Sequence, residues 1–568
     1  MAVGLPFNAS RVLLGVIIAV ILLVGYFTNV SHPLFSHDSS PIEFVASSYS
    51  WANHTRKHPV AGKDMAKLPT GKPAKLPSIQ HQYFTPPKTD EGVKDLEEKR
   101  KDIKHAFAQS WAAYEKHAWG HDELKPLSLG SHDSLSGWGA SIIDALDTLW
   151  LMDMKSEFRR AARHVARINW SNSTTEACNL VETNVRFLGG LLSAYELSSE
   201  GVLLSKAIEV GDLLYAAFDN YEHMPPQDIT FQDLKLGRGH PETKQSTAAL
   251  GSMSLEFTRL SQLTGDTKYY DAINRITLAF DKTQNTTFIH GLWPTEIDVL
   301  HNFDVTISST FSIGADSGSI YEYLLKQFVL LRGQAPVYEK MYTDALDAIL
   351  DNLLFRPMLP KKEDVLMIGK AEVANDGVIS LRPHLEHQSC FAGGMIAMGG
   401  KLFKRDEHVV LGDKLTRGCA YAYSAFPHGV MPEISTLTAC PSLDPCEFRT
   451  TSIRATPDGF NTKDKRYALR PEAIESVFIL YRITGNDEYR TMAWDMWQAV
   501  KKATKTPKST FAEVSDVTLG EVTHADSMES FWLSGTLKYF YLMFSDAKDV
   551  LNLDDWVFNT EGHPLKWK

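Results

Sequence analysis

Basic charge is scarce in this chain: 58 Lys and Arg stand against 69 Asp and Glu, a formal net charge of −11 over 568 residues. A nucleic-acid binder carries the opposite excess, so that class is set aside, and the expected partner is neutral or carried on its own scaffold. Cysteine is scarce too. The five present, Cys178, Cys390, Cys419, Cys440 and Cys446, are too few for a small disulfide scaffold and too widely spread for a zinc cluster. Continuous strand-like alternation is nearly missing outside the loops, which leaves helices to build the core. Disorder is excluded as the main reading, because 43% of the residues are hydrophobic and only 22% charged, enough for one large domain or two or three ordinary ones. The aromatic share of 11%, with 12 Trp and 20 Tyr, suits a carbohydrate surface and a large packed core alike.

The first organised feature is a charge-free run from Val12 to Phe27, VLLGVIIAVILLVGYF, behind a lone Arg11. Residues 12–28 are read as a transmembrane signal anchor after a cytoplasmic tail of 1–11. At about 1.5 Å per helical residue the run is slightly short for a bilayer core of about 30 Å, which suits thin early-secretory membranes. No small-x-small cleavage pattern follows, so the uncleaved anchor is preferred to a cleaved signal peptide. The bulk of the chain is then lumenal. Residues 29–94 turn to Pro, Lys, Ser and His, as in KLPTGKPAKLPSIQ, without apolar periodicity, and read as a stem or linker ahead of a domain at 95–568. Sequons at Asn53, Asn169, Asn172 and Asn285 fit a glycosylated lumenal protein. In an oxidising lumen one or two disulfides are expected. Cys440 and Cys446 bracket PSLDP, a loop that a bridge would close, and the odd count leaves one thiol over, with Cys178 a candidate and the remaining pairing open.

Past the stem a long helical pattern repeats. Leu263-Thr264-Gly265-Asp266, Ile483-Thr484-Gly485-Asn486 and Leu197-Ser198-Ser199-Glu200-Gly201 each join two helices, Gly ending one and Asp or Asn capping the next. Seven units start near Trp138, Glu182, Thr247, Asp316, His387, Glu472 and Glu529, at spacings that suit a helical hairpin plus a variable loop. The chain therefore reads as all-α, a toroid of hairpins around a common axis, with the loops at one end as its functional face.

Several of these helix starts are acidic. Glu182 opens ETNVRFLGGLLSAYEL with Arg186 four residues on, so both share one helical face and are able to pair. Glu472 and Glu475 follow Arg470 and Pro471 in LRPEAIES, where Pro marks a first turn, and Glu529 opens MESFWLSGTLKYFYLMF. Carboxylates converging on a cleft are what glycoside hydrolysis needs: one protonates the leaving oxygen, another activates water or attacks. The plainer explanation of each is that acids favour helix N-termini on account of the dipole.

The residues resemble the class I α-mannosidases of glycoside hydrolase family 47, in a fungal-like type II membrane form. The likeness runs from about Ala106 to the C-terminus through WGASIIDALDTLWLM (138–152), ETNVRFLGGLLSAYEL, YEYLLK (321–326), HQSCF (387–391), MPEI (431–434), LRPEAIES, MESFW and FNTEGHPL. It implies an (α/α)7 barrel that trims α-1,2-linked mannose from high-mannose N-glycans with inversion, in the endoplasmic reticulum or Golgi, using one calcium ion. Carried over by residue, it makes Glu182 the proton donor through water, Arg186 its ionic partner and Glu472 the base. His387, Arg470, Glu475, Glu529 and Glu561 resemble residues that line the sugar pocket or hold calcium-bound water. Phe531 or Trp532 resembles the apolar platform under a mannose ring. Thr560 resembles the direct calcium ligand, and Cys390 and Cys419 occupy the places of a family disulfide.

Two positions depart from the family pattern. Where the family has Asp-Ser-x-Tyr-Glu-Tyr, an ungapped count puts Gly318 at the aspartate, so Asp316 two residues earlier is expected to supply the catalytic carboxylate in its place. Gly535 stands where the family usually has Glu. These departures support a second reading, a lectin-like quality-control factor that binds high-mannose glycans on the same barrel.

Overall fold

The computed structural model describes residues 40–84, 89–449 and 459–568. The tail and anchor expected at 1–11 and 12–28 lie outside the described residues, among which no helix is long and apolar enough to cross a membrane. The chain divides into two compact units, Met1–Ile42 and Glu43–Lys568, and the helices described below belong to the second.

Fourteen helices carry the architecture, in two concentric rings. The inner ring is α2 (Ala140–Leu151), α4 (Leu180–Glu182, a π turn Thr183–Leu188, then Gly189–Ser198), α6 (Ser254–Thr264, after a short Thr247–Gly251), α8 (Gly318–Leu330), α10 (Ala392–Phe403), α12 (Glu472–Thr484) and α14 (a π turn Trp532–Thr536, then Leu537–Met543). The outer ring is α1 (Asp90–His117), α3 (Lys155–Val165), α5 (Gly201–Ala216), α7 (Thr267–Thr283), α9 (Pro336–Asn352), α11 (Asp406–Ala425) and α13 (Glu488–Thr504). Each inner helix packs on its inner neighbours and on one or two outer helices. The ring closes where α14 meets α2 and where the first helix, α1, backs the last. The fold is thus an (α/α)7 barrel, and its inner helices begin at or within a few residues of the seven unit starts read from the sequence.

Composition explains the two rings. Every residue of α10 except Lys401 and Phe403 is buried, as are all but two of α12, because an inner helix is walled on every side. An outer helix keeps one wet face: α3 buries only Phe158, Ala161, Ala162 and Val165, an i, i+3, i+4, i+7 stripe. Gly265 and Gly485 end α6 and α12 with φ of 74° and 69°, the left-handed conformation that glycine adopts without strain. At the third junction the expectation needs correction, since Ser199 takes the left-handed position (φ 59°) and Gly201 is already the first residue of α5.

The chain ends in a hairpin, Trp556–Phe558 against Pro564–Lys566, whose tip is driven into the ring. Asn559 donates to the Val185 carbonyl and to Glu256, each at 2.8 Å. His563 bridges Asp147 at 2.8 Å and Asp144 at 3.2 Å, and Lys538 reaches Asp147 at 2.8 Å. This approach demands Gly189, because a Cβ there would fall 2.5 Å from the Asn559 amide; one on Gly190 would fall 3.0 Å from the Ile143 carbonyl on α2 and 3.3 Å from His563. Cys390 bridges Cys419, joining the start of α10 to α11, and Cys440 bridges Cys446. Cys178 is left as a buried thiol.

The stem expected over 29–94 is not free of the barrel. From Ser47 to His81 it is strapped along the barrel by backbone N–H groups that donate to barrel acceptors. Ser47 donates to Glu209 (2.8 Å), Lys57 and His58 to Asp219 (2.8 and 2.6 Å), Ala66 to Asp271 (2.8 Å), Ile79 to Asp554 (2.7 Å) and His81 to the Arg482 carbonyl (2.7 Å). Trp51, Ile79 and Gln80 are its deep anchors, 4%, 1% and 4% exposed, and the Trp51 indole N–H donates to the Trp170 carbonyl. Attachment through the main chain leaves no apolar period in the sequence, which is why the segment looks like a linker. Residues 89–94 likewise cap and begin α1.

Asp554 accepts from Ser78 Oγ and from the backbone of Ile79 and Gln80. Charge-assisted bonds of this kind contribute about 1–3 kcal/mol together when one carboxylate is removed. Asp554→Ala is therefore expected to lower the unfolding free energy by that amount and to open residues 43–84 to limited proteolysis. Unchanged denaturation and unchanged cleavage would mean that the strap is not held there.

Candidate active site

A cavity of about 270 Å³ opens among the N-terminal ends of the inner helices. Its walls include Glu182 from α4, Gly318, Ser319 and Glu322 from α8, and Glu472 and Glu475 from α12. Thr560 and Glu561, at the tip of the C-terminal hairpin, are also among its walls. Helix N-termini carry the positive end of the backbone dipole, so a ring of them accepts a ring of carboxylates. Asn179 caps α4 by accepting from the Glu182 N–H at 3.0 Å, and the π turn that follows puts Arg186 on the inner side of the ring. π turns recur where a helix must aim a side chain that an α turn would misplace.

Arg186 does not line the cavity; it stands behind two groups that do. Its Nε donates to Glu182 at 2.6 Å and its Nη1 to Glu561 at 3.0 Å and Ser530 at 3.1 Å, with Asp144 at 3.6 Å. Burial would disfavour the guanidinium charge, but Glu182, Glu561 and Asp144 more than offset it. Glu472 is organised in the same manner. His387 Nδ1 lies 3.1 Å from its Oε2 and Arg470 Nη1 3.7 Å from its Oε1. Burial pushes against the Glu472 carboxylate, yet the His387 bond and the Arg470 charge hold its pKa below the usual range, so it is ionised at neutral pH. Behind these stand Tyr423, 2.8 Å from His387 Nε2, and Glu433, which accepts from Arg470.

The floor is acid-rich. Lys326 pairs with Glu322 and, at 3.3 Å, with Glu475. Burial first, then repulsion from Glu322 and Glu472, pushes the Glu475 pKa up against the pull of Lys326. Glu561 is pushed up likewise, by burial and by Glu182 and Asp144, against the pull of Arg186. Phe531 is buried behind the wall, with the Arg186 and Arg470 guanidinium carbons each 5.5 Å from its ring centre. Trp532 points away, donating its indole N–H to Ser110. Glu529 also lies outside the lining; it faces Glu123, whose pKa is raised by burial and by the Glu529 charge.

Of the residues singled out in the sequence, Glu182, Glu472, Glu475, Thr560 and Glu561 share the cavity, while Arg186, His387, Arg470, Glu529 and Phe531 stand outside its lining. Asp316 does not join them. It is exposed and absent from the cavity wall, and its raised pKa reflects partial burial and the nearby Glu386. The place beside it is also filled: a Cβ on Gly318 would fall 2.3 Å from the Ile313 carbonyl and 3.0 Å from Phe391, so the 313–318 loop has closed over the space of a side chain. Gly535 is less crowded, its nearest neighbours being Pro471 atoms at 3.0 and 3.1 Å. Sequence reasoning passed over Asp144, Ser530, Glu433 and Tyr423, which bear no local signature because their partners lie far along the chain.

Glu386 holds that loop. It accepts from the Ala315 N–H at 3.1 Å and pairs with Lys370 and with His384 at 3.4 Å. Burial would raise its pKa, but His384 and Lys370 outweigh burial and lower it from 4.5 to about 2. A depressed carboxylate stabilises the fold fully above its unfolded pKa, and that share, up to about 3 kcal/mol, is lost as pH falls from about 4.5 toward 2. Urea unfolding at pH 5 and pH 3 is expected to show a smaller loss of stability in Glu386→Gln than in the parent. Equal losses would mean that Glu386 titrates normally.

The chain matches glycosyl hydrolase family 47 over residues 106–567. It is 35% identical over 474 residues to the endoplasmic reticulum mannosyl-oligosaccharide 1,2-alpha-mannosidase of Rattus norvegicus, covering 82% of this chain and 68% of that one. It is 31% identical over 495 residues to the mannosyl-oligosaccharide alpha-1,2-mannosidase of Coccidioides posadasii, covering 83% and 91%. Among solved structures it superposes on the alpha-1,2-mannosidase from Trichoderma reesei with a TM-score of 0.74 and 28% identity, over 83% of this chain and 99% of that one.

Proposed function

The chain belongs to glycosyl hydrolase family 47 and is a glycosidase, and on that premise we propose that it removes terminal α-1,2-linked mannose from high-mannose N-glycans, with inversion and with calcium. The observation that carries this reading is that Glu182 and Glu472, on two different inner helices, open on one cavity, each fixed by its own partners. Inverting glycosidases keep their carboxyls about 6.5–9.5 Å apart to admit water, a separation that two helices supply more readily than one. Ionised Glu472 takes a proton from the attacking water, oriented by His387 and Arg470. Glu182, clamped by Arg186, delivers a proton to the leaving oxygen through a water, and Phe531 backs the sugar. The same reading puts the enzyme in the endoplasmic reticulum or Golgi membrane, anchored by 12–28 with the barrel lumenal.

Calcium is supported by the chemistry of the floor. The donors are oxygens, the preference of a hard cation, and burial and repulsion from neighbouring carboxylates push up the pKa values of Glu475 and Glu561, which a dication among them would relieve. Thr560 would hold such an ion directly, with Glu472, Glu475 and Glu561 holding its waters. When bound, the ion would supply Lewis-acid polarisation of the sugar's oxygens.

A second reading, glycan binding with little turnover, is favoured by Gly318 and Gly535. The two are separated by incubating the lumenal chain with an oligomannose N-glycan, with calcium or with chelator. Calcium-dependent mannose release is expected, falling by about 10²–10⁴-fold in Glu472→Gln and little changed in Asp316→Asn, whose side chain is exposed and not part of the wall. Oligomannose binding without release would overturn the hydrolase in favour of the binder.

A further inference from the structure

A larger cavity, of about 910 Å³, lies away from the site on the outer wall of the barrel. It runs between the end of α1, α3 and the 168–174 loop, and is walled by Trp119, Trp138, Arg160, Arg167, Asn169 and Asn172. Two of the four sequon asparagines therefore border one groove, and the structure treats them differently. Asn169 is tied into the strap: its Oδ1 accepts from the Ser48 backbone and hydroxyl at 3.1 and 3.3 Å, and its Nδ2 donates to Ser48 Oγ at 3.0 Å. A sugar on that nitrogen would crowd the strap out of its seat. Asn172 is exposed, and its backbone carbonyl is pinned by the Trp138 indole N–H at 2.8 Å, which holds this residue at the rim.

We propose that Asn172, and not Asn169, carries an N-linked glycan, and that the inner sugars of that glycan lie in the groove against Trp119. The inference rests on the lumenal placement proposed above, though not on the catalytic reading. The chemistry of the walls fits the occupant. Trp119 is half-buried, its ring braced by the edge of His164 at 5.3 Å, and offers a fixed apolar face to the C–H side of a pyranose. Arg160 is locked on Glu115 by bonds of 2.7 and 3.1 Å, and exposed Arg167 lines the same groove, so guanidinium donors are available to hydroxyl and acetamido oxygens. Attachment at the rim supplies the first sugars at an effective concentration on the order of mM, enough for a weak stacking site to stay filled. The glycan would then cover the junction of α1, α3 and the strap.

The test uses the full chain made in a eukaryotic secretory host. Glycopeptide mass spectrometry is expected to find sugar on Asn172 and none on Asn169. On the folded protein, an endoglycosidase that cuts between the two core N-acetylglucosamines is expected to release the Asn172 glycan about ten-fold more slowly than one at Asn285 or Asn53, as a glycan docked for about nine-tenths of the time would be. Trp119→Ala and, independently, Arg167→Glu should bring the two rates together. Sugar on Asn169, a bare Asn172, or equal release rates in the parent protein would each overturn the proposal. Mannose trimming by the enzyme is read in a separate assay, so failure here leaves the catalytic reading standing and the reverse also holds.

Discussion

The buried pairing of Asp144 and Asp147 with His563 and Lys538 is the constraint on which the rest of the barrel depends. All four side chains are essentially without solvent access. Burial alone would raise the pKa of Asp147, but Lys538 and His563 bring it to about 2, and the same aspartates hold His563 above its ordinary value despite its burial. Charges so placed cost several kcal/mol to desolvate and are tolerable only when every partner is present, so they specify one geometry more than they add stability. That geometry joins α2, α14 and the C-terminal hairpin, the first and last inner helices and the element that plugs the space between them.

From this point the site is assembled by contact. The hairpin tip presents Thr560 and Glu561; Glu561 and Asp144 hold Arg186, and Arg186 holds Glu182. On the opposite side His387 and Arg470 do the same for Glu472, and Phe531 lies between the two arginines. Each proposed catalytic carboxylate is thus set by a group that does not itself line the cavity. The two π turns belong to this arrangement, one carrying Arg186 and the other following directly on Ser530 and Phe531.

Much of the fold was legible in the sequence because it is written in local signals. The seven inner helices begin where apolar periodicity follows an acid, a cap or a proline, and Gly265 and Gly485 end helices as their residue type requires. Glu182 and Arg186 were legible as a pair since four residues bring them onto one face. What could not be read depends on partners far along the chain. The strap at 43–84 is held through backbone donors, which any residue but proline provides. The π turns answer to a tertiary demand, and Asp144 and Asp147 look like ordinary helix acids until His563 arrives from more than 400 residues away. Asp316 was expected at the centre from the family pattern, two residues from the aspartate position, but it is exposed on the loop that Glu386 holds, and Gly318 lies against the Ile313 carbonyl.

The central claim is that two carboxylates on separate helices act together across one cavity, with a water between base and sugar. The anomeric form of the first product tests it most directly. Hydrolysis of an α-1,2-linked mannobioside followed by proton NMR, faster than mutarotation, is predicted to give β-mannose first. Appearance of α-mannose first would mean a retained configuration and a nucleophilic carboxylate, contradicting the assignment of Glu472 as base.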